Sequence, residues 1–144
     1  MKVIKKRFDE LTVDELYSIL KLRSEVFVVE QRILYVDLDE IDLTSTHYFI
    51  TDDFGVFAYL RVIDLNVSYD GFYSIGRFCV RIDRRGFGIG KMLISNAIED
   101  IQSKNIKIAS QAYLKEMYEK VGFVAISEQY LLEGLIHIEM IYGK

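Results

Sequence analysis

Hydrophobic positions recur along this chain with two periods, about two and about 3.6 residues, and the switches between them mark out its elements. Val3 to Arg7 reads as a short strand. Thr12-Val13-Asp14-Glu15 has the form of a capping box, a hydroxyl at the N-cap and a carboxylate three residues on, and Leu16, Ile19, Leu20, Arg23 and Phe27 follow at helical spacing. A helix is predicted from there to about Val29, with Arg23 on its buried face and so in need of a carboxylate or a route to water. His47 to Thr51 and Val56 to Ile63 read as strands joined by the turn Asp52-Asp53-Phe54-Gly55, an antiparallel hairpin. Tyr73 to Val80 is a further strand. Ile89, Met92, Leu93, Ala97 and Ile101 share one helical face, so a helix starts within the preceding glycines and runs to about Ser103. Ile106 to Ala109 reads as a short buried strand, Leu114 to Val121 as a helix stopped by Gly122, and Phe123 to Glu128 and Ile136 to Tyr142 as closing strands. The order is mixed α/β.

Length makes this one domain, residues 1–144, with a single core. With 51% hydrophobic and 28% charged residues the composition is that of a folded chain rather than a disordered one. A net charge of -4 argues against attraction of the whole surface to nucleic acid or to an anionic membrane. No apolar run approaches the roughly 18 residues of a membrane span, and acids follow the basic start where an export signal would be apolar. Cys79 is the one cysteine and has no disulfide partner, so a reducing cytoplasmic setting is expected. The acidic stretch Asp37-Leu38-Asp39-Glu40-Ile41-Asp42 lacks the glycine and ligand spacing of an EF-hand; it reads as a solvated loop or an acidic rim attracting a cationic substrate, and no metal site is expected.

Against that acidic background, residues 77 to 91 hold Arg77, Arg81, Arg84, Arg85 and Lys91 against one acid, Asp83, a local +4 that leaves -8 for the rest. The positive charge gathers where a strand turns through Gly86, Gly88 and Gly90 into a helix. Glycines let backbone N–H groups approach an anion without a Cβ in the way, and a helix N-terminus adds partial positive charge, so the segment reads as an anion cradle. The dinucleotide fingerprint fails because its third glycine falls on Lys91, and the Walker loop fails because its first glycine falls on Arg85. A solvated basic turn without a ligand is the plainer alternative.

Arg85-Gly86-Phe87-Gly88-Ile89-Gly90, following a strand, resembles the R-x-x-G-x-G loop that binds the coenzyme A pyrophosphate in the GNAT superfamily of acyl-CoA-dependent N-acyltransferases. Tyr118-Glu119-Lys120-Val121-Gly122-Phe123 is similar to the superfamily's late Tyr-x-x-x-Gly-Phe pattern. Leu16-Tyr17 through Leu22-Arg23 to Gln31, Tyr35 to Asp39, His47, Gln111 to Leu114 and Glu133 to His137 resemble the ElaA-like subgroup, so the likeness spans nearly the whole chain. Leu132-Glu133-Gly134-Leu135-Ile136-His137 departs from that subgroup by lacking an Asp and a Pro, and Gln111 stands where many superfamily members have Asn.

The resemblance implies a GNAT-like α/β fold, a central, mostly antiparallel mixed sheet of about six or seven strands flanked by helices. It implies acetyl-CoA as co-substrate, without a metal, and transfer of an acetyl group to a primary amine of a small molecule or peptide by direct attack. A non-catalytic CoA-binding or interaction module on the same fold is the alternative, and a homodimer is compatible with either. The cofactor would meet Phe78, Cys79, Val80, Arg84, Arg85, Gly86, Phe87, Gly88, Ile89, Gly90, Lys91 and Gln111. Tyr118 is the candidate general acid, since a phenol with pKa near 10 keeps its proton at neutral pH; periodicity alone would make it part of an apolar helix face. Glu30, His47 and His137 are the candidate bases, Glu30 and His137 foremost, although each alone reads as a structural group. Cys79 is the weakest candidate nucleophile, with no histidine near it in sequence.

Overall fold

The capping box forms as its residues require. Thr12 Oγ1 accepts the Glu15 amide at 3.1 Å and the Glu15 carboxylate accepts the Thr12 amide at 2.9 Å, starting helix α1 (Val13–Arg23). These distances come from a computed structural model that describes residues 1–143. The helix does not end where α geometry does: it widens into a π-helical stretch, Ser24–Glu30, closed by the Gln31 amide donating to the Val26 carbonyl at 3.2 Å. Wide turns of this kind are often found at functional sites, and this one sets Glu30 and Gln31 beside the strand that follows from the hairpin.

Strands β1 (Ile4–Arg7), β2 (Thr46–Asp52), β3 (Gly55–Ile63) and β4 (Ser74–Val80) form one antiparallel sheet in that order. Helix α2 (Ile89–Ile101) follows, then β5 (Lys107–Gln111), α3 (Lys115–Lys120), β6 (Phe123–Ala125), β7 (Tyr130–Leu132) and β8 (Leu135–Tyr142). The second sheet has the order β5-β8-β6, with β7 also paired to β8. The GNAT-like α/β expectation therefore holds with one refinement: the strands number eight among the described residues and divide into two sheets rather than one. The missed strand is β7, three residues that fold back through Glu133 and Gly134, both at positive φ (51° and 76°), the geometry of a two-residue primed turn.

The two sheets meet at a single parallel bridge between Tyr73 and Ile106, where the Tyr73 amide donates to the Asn105 carbonyl at 2.8 Å and the Lys107 amide to the Tyr73 carbonyl at 2.9 Å. Past that bridge β4 is an edge strand with one side unpaired. A single core was expected, but apolar side chains gather on both faces of the first sheet. Ile19, Leu22 and Phe27 join Phe49, Val56 and Tyr59 on one face; Leu93, Ile94 and Ala97 join Phe57, Leu60, Ile108 and Met140 on the other. This is why β3 reads as a nearly continuous apolar run instead of an alternating one.

Candidate active site

Two residues of β4, Arg77 and Phe78, stand opposite Leu60 of β3, because the pairing steps from Arg61↔Gly76 to Tyr59↔Cys79. The extra residue is a β-bulge, and Arg77 occupies the left-handed region (φ 52°), a conformation that costs a non-glycine residue about 1–2 kcal/mol. The bulge bends the free edge of β4 toward a groove of about 500 Å³ that runs between β4, the glycine loop and α3. Ten of the twelve residues expected to meet the cofactor line this groove. Phe87 does not; its side chain is exposed, pointing to water beyond the loop. Gln111 does not either; it lines a separate pocket, where its side-chain amide exchanges hydrogen bonds with that of Gln31 at 3.0 and 3.4 Å.

The groove fits a diphosphate on backbone grounds. Gly88 is the N-cap of helix α2, and no side chain caps the helix's first amides. Gly86 and Gly88 lie at φ 86° and 76°, and no atom stands within 4 Å of where a Cβ would project, so both are glycine for backbone conformation and for open approach. Gly90 is glycine for space: a Cβ there would lie 2.6 Å from Phe78 Cζ.

The local +4 read from residues 77 to 91 is largely cancelled by acids from elsewhere in the chain. Arg77 pairs with Asp37 and Asp39, Arg81 with Asp52 and Asp83, and Arg84 with Asp52. Arg85 is gripped by Glu30 through two hydrogen bonds of 2.7 Å, while its Nε donates to the Val80 carbonyl at 2.8 Å. Lys91 and Lys120 line the groove without a carboxylate partner among the described residues. Lys120 had no signal in the sequence beyond its place one turn past the α3 start.

A second pocket, of about 240 Å³, lies on the other side of Phe78 and Leu114, which border both. It contains Tyr118 and His137. Tyr118 is buried, its ring edge-on to Phe78 and Phe123, its hydroxyl in no hydrogen bond to the described residues, and burial pushes its pKa above the ordinary phenol value. His137 Nδ1 lies 2.9 Å from the Leu135 carbonyl, an acceptor only, so in the neutral ring Nδ1 carries the hydrogen and Nε2 keeps its lone pair.

The other candidate bases are placed elsewhere. Glu30 lines neither cavity, and its bond to Arg85 holds its carboxyl below the usual range, which suits a clamp and not a proton acceptor. His47 is buried between the Tyr59 hydroxyl (2.6 Å) and the Asp42 carbonyl (3.0 Å), and burial lowers its pKa; both ring nitrogens are spoken for. The Cys79 thiol is buried, its pKa raised by desolvation, which removes the thiolate a nucleophile needs.

The acidic stretch is neither a wet loop nor a rim. Asp37, Asp39 and Asp42 face Arg23, Arg61 and Arg77 in a part-buried lattice, three carboxylates against three guanidinium groups. Arg23, which the helical pattern required to find a carboxylate, finds Asp37 at 2.8 Å and Asp42 at 2.8 Å. No group of three or more His, Cys, Asp or Glu residues is placed to hold a metal, and no helix is long and apolar enough to cross a membrane, among the described residues.

Residues 27–143, which carry the bulged edge of β4, the glycine loop and the second sheet, match the acetyltransferase (GNAT) domain. The chain belongs to that family. Within it the likeness is to the ElaA and UPF0039 proteins: it is 38% identical to a UPF0039 protein of Schizosaccharomyces pombe, over 97% of this chain and 95% of the relative. The crystal structure of Escherichia coli ElaA superposes with a TM-score of 0.88 at 31% identity, covering 97% of this chain and 98% of that one. That of an acyl-CoA N-acyltransferase from Pseudomonas aeruginosa gives 0.87 at 36%, with 97% and 98% covered.

Proposed function

We infer that the protein transfers an acetyl group from acetyl-CoA to a primary amine by direct attack. The observation that carries this reading is the pair of cavities sharing Phe78 and Leu114 as a common wall, one fitted to a diphosphate-bearing chain and the other holding an acid and a base. The co-substrate supplies the acyl group already activated as a thioester. The amides from Gly86 to Lys91 take the diphosphate, with Lys91 and Lys120 adding charge, while Glu30 and Arg85 brace the loop against the end of β4. The free edge of β4 offers backbone N–H groups to the amide-bearing arm of the carrier and to the thioester oxygen. His137 Nε2 removes a proton from the acceptor's ammonium, and the freed amine attacks the carbonyl carbon. As the C–N bond forms and the C–S bond breaks, the Tyr118 hydroxyl donates its proton to the departing sulfur, and the second proton shed by the attacking nitrogen returns to the Tyr118 oxygen, which leaves a neutral amide, the free CoA thiol and one proton on His137 to pass to solvent. The raised pKa of Tyr118 keeps its hydroxyl proton in place across the neutral range.

A thiol-release assay with acetyl-CoA and a panel of amines tests this. Tyr118→Phe is expected to lower kcat by about 10²–10⁴-fold, the usual worth of general acid catalysis, with CoA binding by calorimetry unchanged. Its melting temperature should also hold, because the hydroxyl bonds to nothing that would be orphaned. Full turnover in a folded Tyr118→Phe protein would remove Tyr118 from the mechanism. A wild type that binds CoA and acylates no amine would be a binding module instead.

A further inference from the structure

Arg77 is an unexpected occupant of its place. Where the extra residue of a bulge lies in the left-handed region, glycine is the residue that meets no strain, yet this chain carries a long charged one there, at φ 52°. The bulge itself is fixed by packing. Ile75 belongs to the core on one face of the sheet and Cys79 to the core on the other, although residues four apart would share a face of an unbroken strand. The bulge therefore forms without any need for arginine, and strain kept at one residue points to a task for its side chain.

That side chain leaves the strand for residues 31–39, the loop between the π-helical stretch and the turn at Glu40–Thr44. Its Nη2 donates to the Asp37 carbonyl at 2.9 Å and to Asp39 Oδ2 at 3.4 Å, and its Nε lies 2.8 Å from Asp37 Oδ1. Its guanidinium stands over the Tyr35 ring, 5.9 Å from the centroid, and the Tyr35 hydroxyl donates to the same Asp37 oxygen at 3.0 Å. Arg23 of α1 and Arg61 of β3 hold this loop too, through Asp37 and Asp39, but Arg77 alone of the three comes from the bulged strand. Leu34 and Val36 are exposed, so apolar burial does little to fix the loop.

The two cavities differ at this point. Gln31, Ile33, Tyr35 and Arg77 line the pocket that holds Tyr118 and His137, whereas no residue of 31–39 lines the groove fitted to the diphosphate. A misplaced loop would therefore act on the amine and leave the carrier's binding alone.

On the footing that this pocket receives the amine as inferred above, we propose that Arg77 is a positioning residue. Through Asp37 it ties Tyr35, and with it the wall of the acceptor pocket, to the bulged edge of β4 where the thioester is presented.

The test is Arg77→Gly, which removes every one of these ties yet takes φ 52° without strain. Asp37 keeps Arg23 at 2.8 Å and Asp39 keeps Arg61 at 2.6 Å, so neither carboxylate is left without a partner. The variant should melt within about 4 °C of wild type and bind acetyl-CoA in calorimetry within about twofold. Its kcat/KM for whichever of 2-phenylethylamine, L-phenylalaninamide and spermidine the wild type acetylates should fall by about 10- to 100-fold, the effect of a misplacement near 1 Å. Arg77→Lys, which keeps the charge but not the planar fork, should recover part of that loss. Trypsin cleavage after Arg32, exposed in the same loop, should speed up several-fold in Arg77→Gly. Undiminished kcat/KM, unchanged cleavage or an equal weakening of acetyl-CoA binding would each overturn the proposal. So would a fall in melting temperature of more than about 10 °C, which would make Arg77 a pin of the whole fold. If the wild type binds no acetyl-CoA, or acetylates none of the three amines, the failure belongs to the acyltransferase reading, and the cleavage rate after Arg32 decides alone for or against Arg77.

Discussion

Asp42→Asn asks whether the acidic stretch is a wet loop or a structural core. The Asp42 carboxylate is buried and accepts from Arg23 Nη1 at 2.8 Å, Arg23 Nη2 at 3.1 Å and Arg61 Nη1 at 2.8 Å. Asn keeps the volume but removes the charge, leaving three guanidinium groups against two carboxylates, and turns an amide donor toward guanidinium donors. Removing one partner of a buried ion pair costs about 3–5 kcal/mol, because the remaining charge is left uncompensated. On a domain of this size that lowers the melting temperature by roughly 10 °C, at about 2–4 °C per kcal/mol. A substitution in a solvated loop would change stability by about 0.5 kcal/mol or less.

The assay is urea unfolding followed by circular dichroism, with wild type and variant compared at several pH values. Burial alone would raise the Asp39 and Asp42 carboxyls, but the hydrogen bonds and charges of Arg61 and Arg23 outweigh it and hold both below the usual range. A carboxylate with a depressed folded pKa adds stability that is fully present above its unfolded value, about 3.9, and is lost as pH falls through the folded one. The gap between wild type and variant should therefore stay constant from pH 8 to pH 5 and shrink below about pH 4. A loss under about 1 kcal/mol at pH 7, with an unchanged urea slope, would refute the buried-lattice account.

Two further outcomes separate the roles of residues near the glycine loop. Glu30→Gln loosens the brace on Arg85 and should raise the KM for acetyl-CoA several-fold with kcat within about twofold; a kcat loss of about a hundredfold at unchanged KM would return Glu30 to the role of base. Gly88→Val puts a β-branched residue at φ 76°, a cost of about 1–2 kcal/mol, and crowds the open approach to α2, so CoA affinity should fall by at least about tenfold in calorimetry. Undiminished binding by a folded Gly88→Val protein would mean that the carrier does not lie over this loop.

Local signals carried much of this architecture. The capping box of Thr12 and Glu15, the hairpin at Asp52 to Gly55, the helical face from Ile89 to Ile101 and the stop at Gly122 are written in neighbouring residues, because caps, turns and amphipathic faces depend on positions within a few residues of one another. So is the glycine run, which needs no partner to adopt positive φ.

What the tertiary structure alone decided concerns pairs distant in sequence. The basic run from Arg77 to Lys91 looked like free positive charge, yet Glu30, Asp37, Asp39 and Asp52 neutralise most of it from other elements. Gln111 was expected on the cofactor and stands with Gln31, eighty positions away, in the other pocket. Backbone conformation is settled by adjacent atoms, whereas electrostatics and hydrogen-bond satisfaction are settled by whatever the fold brings within about 4 Å.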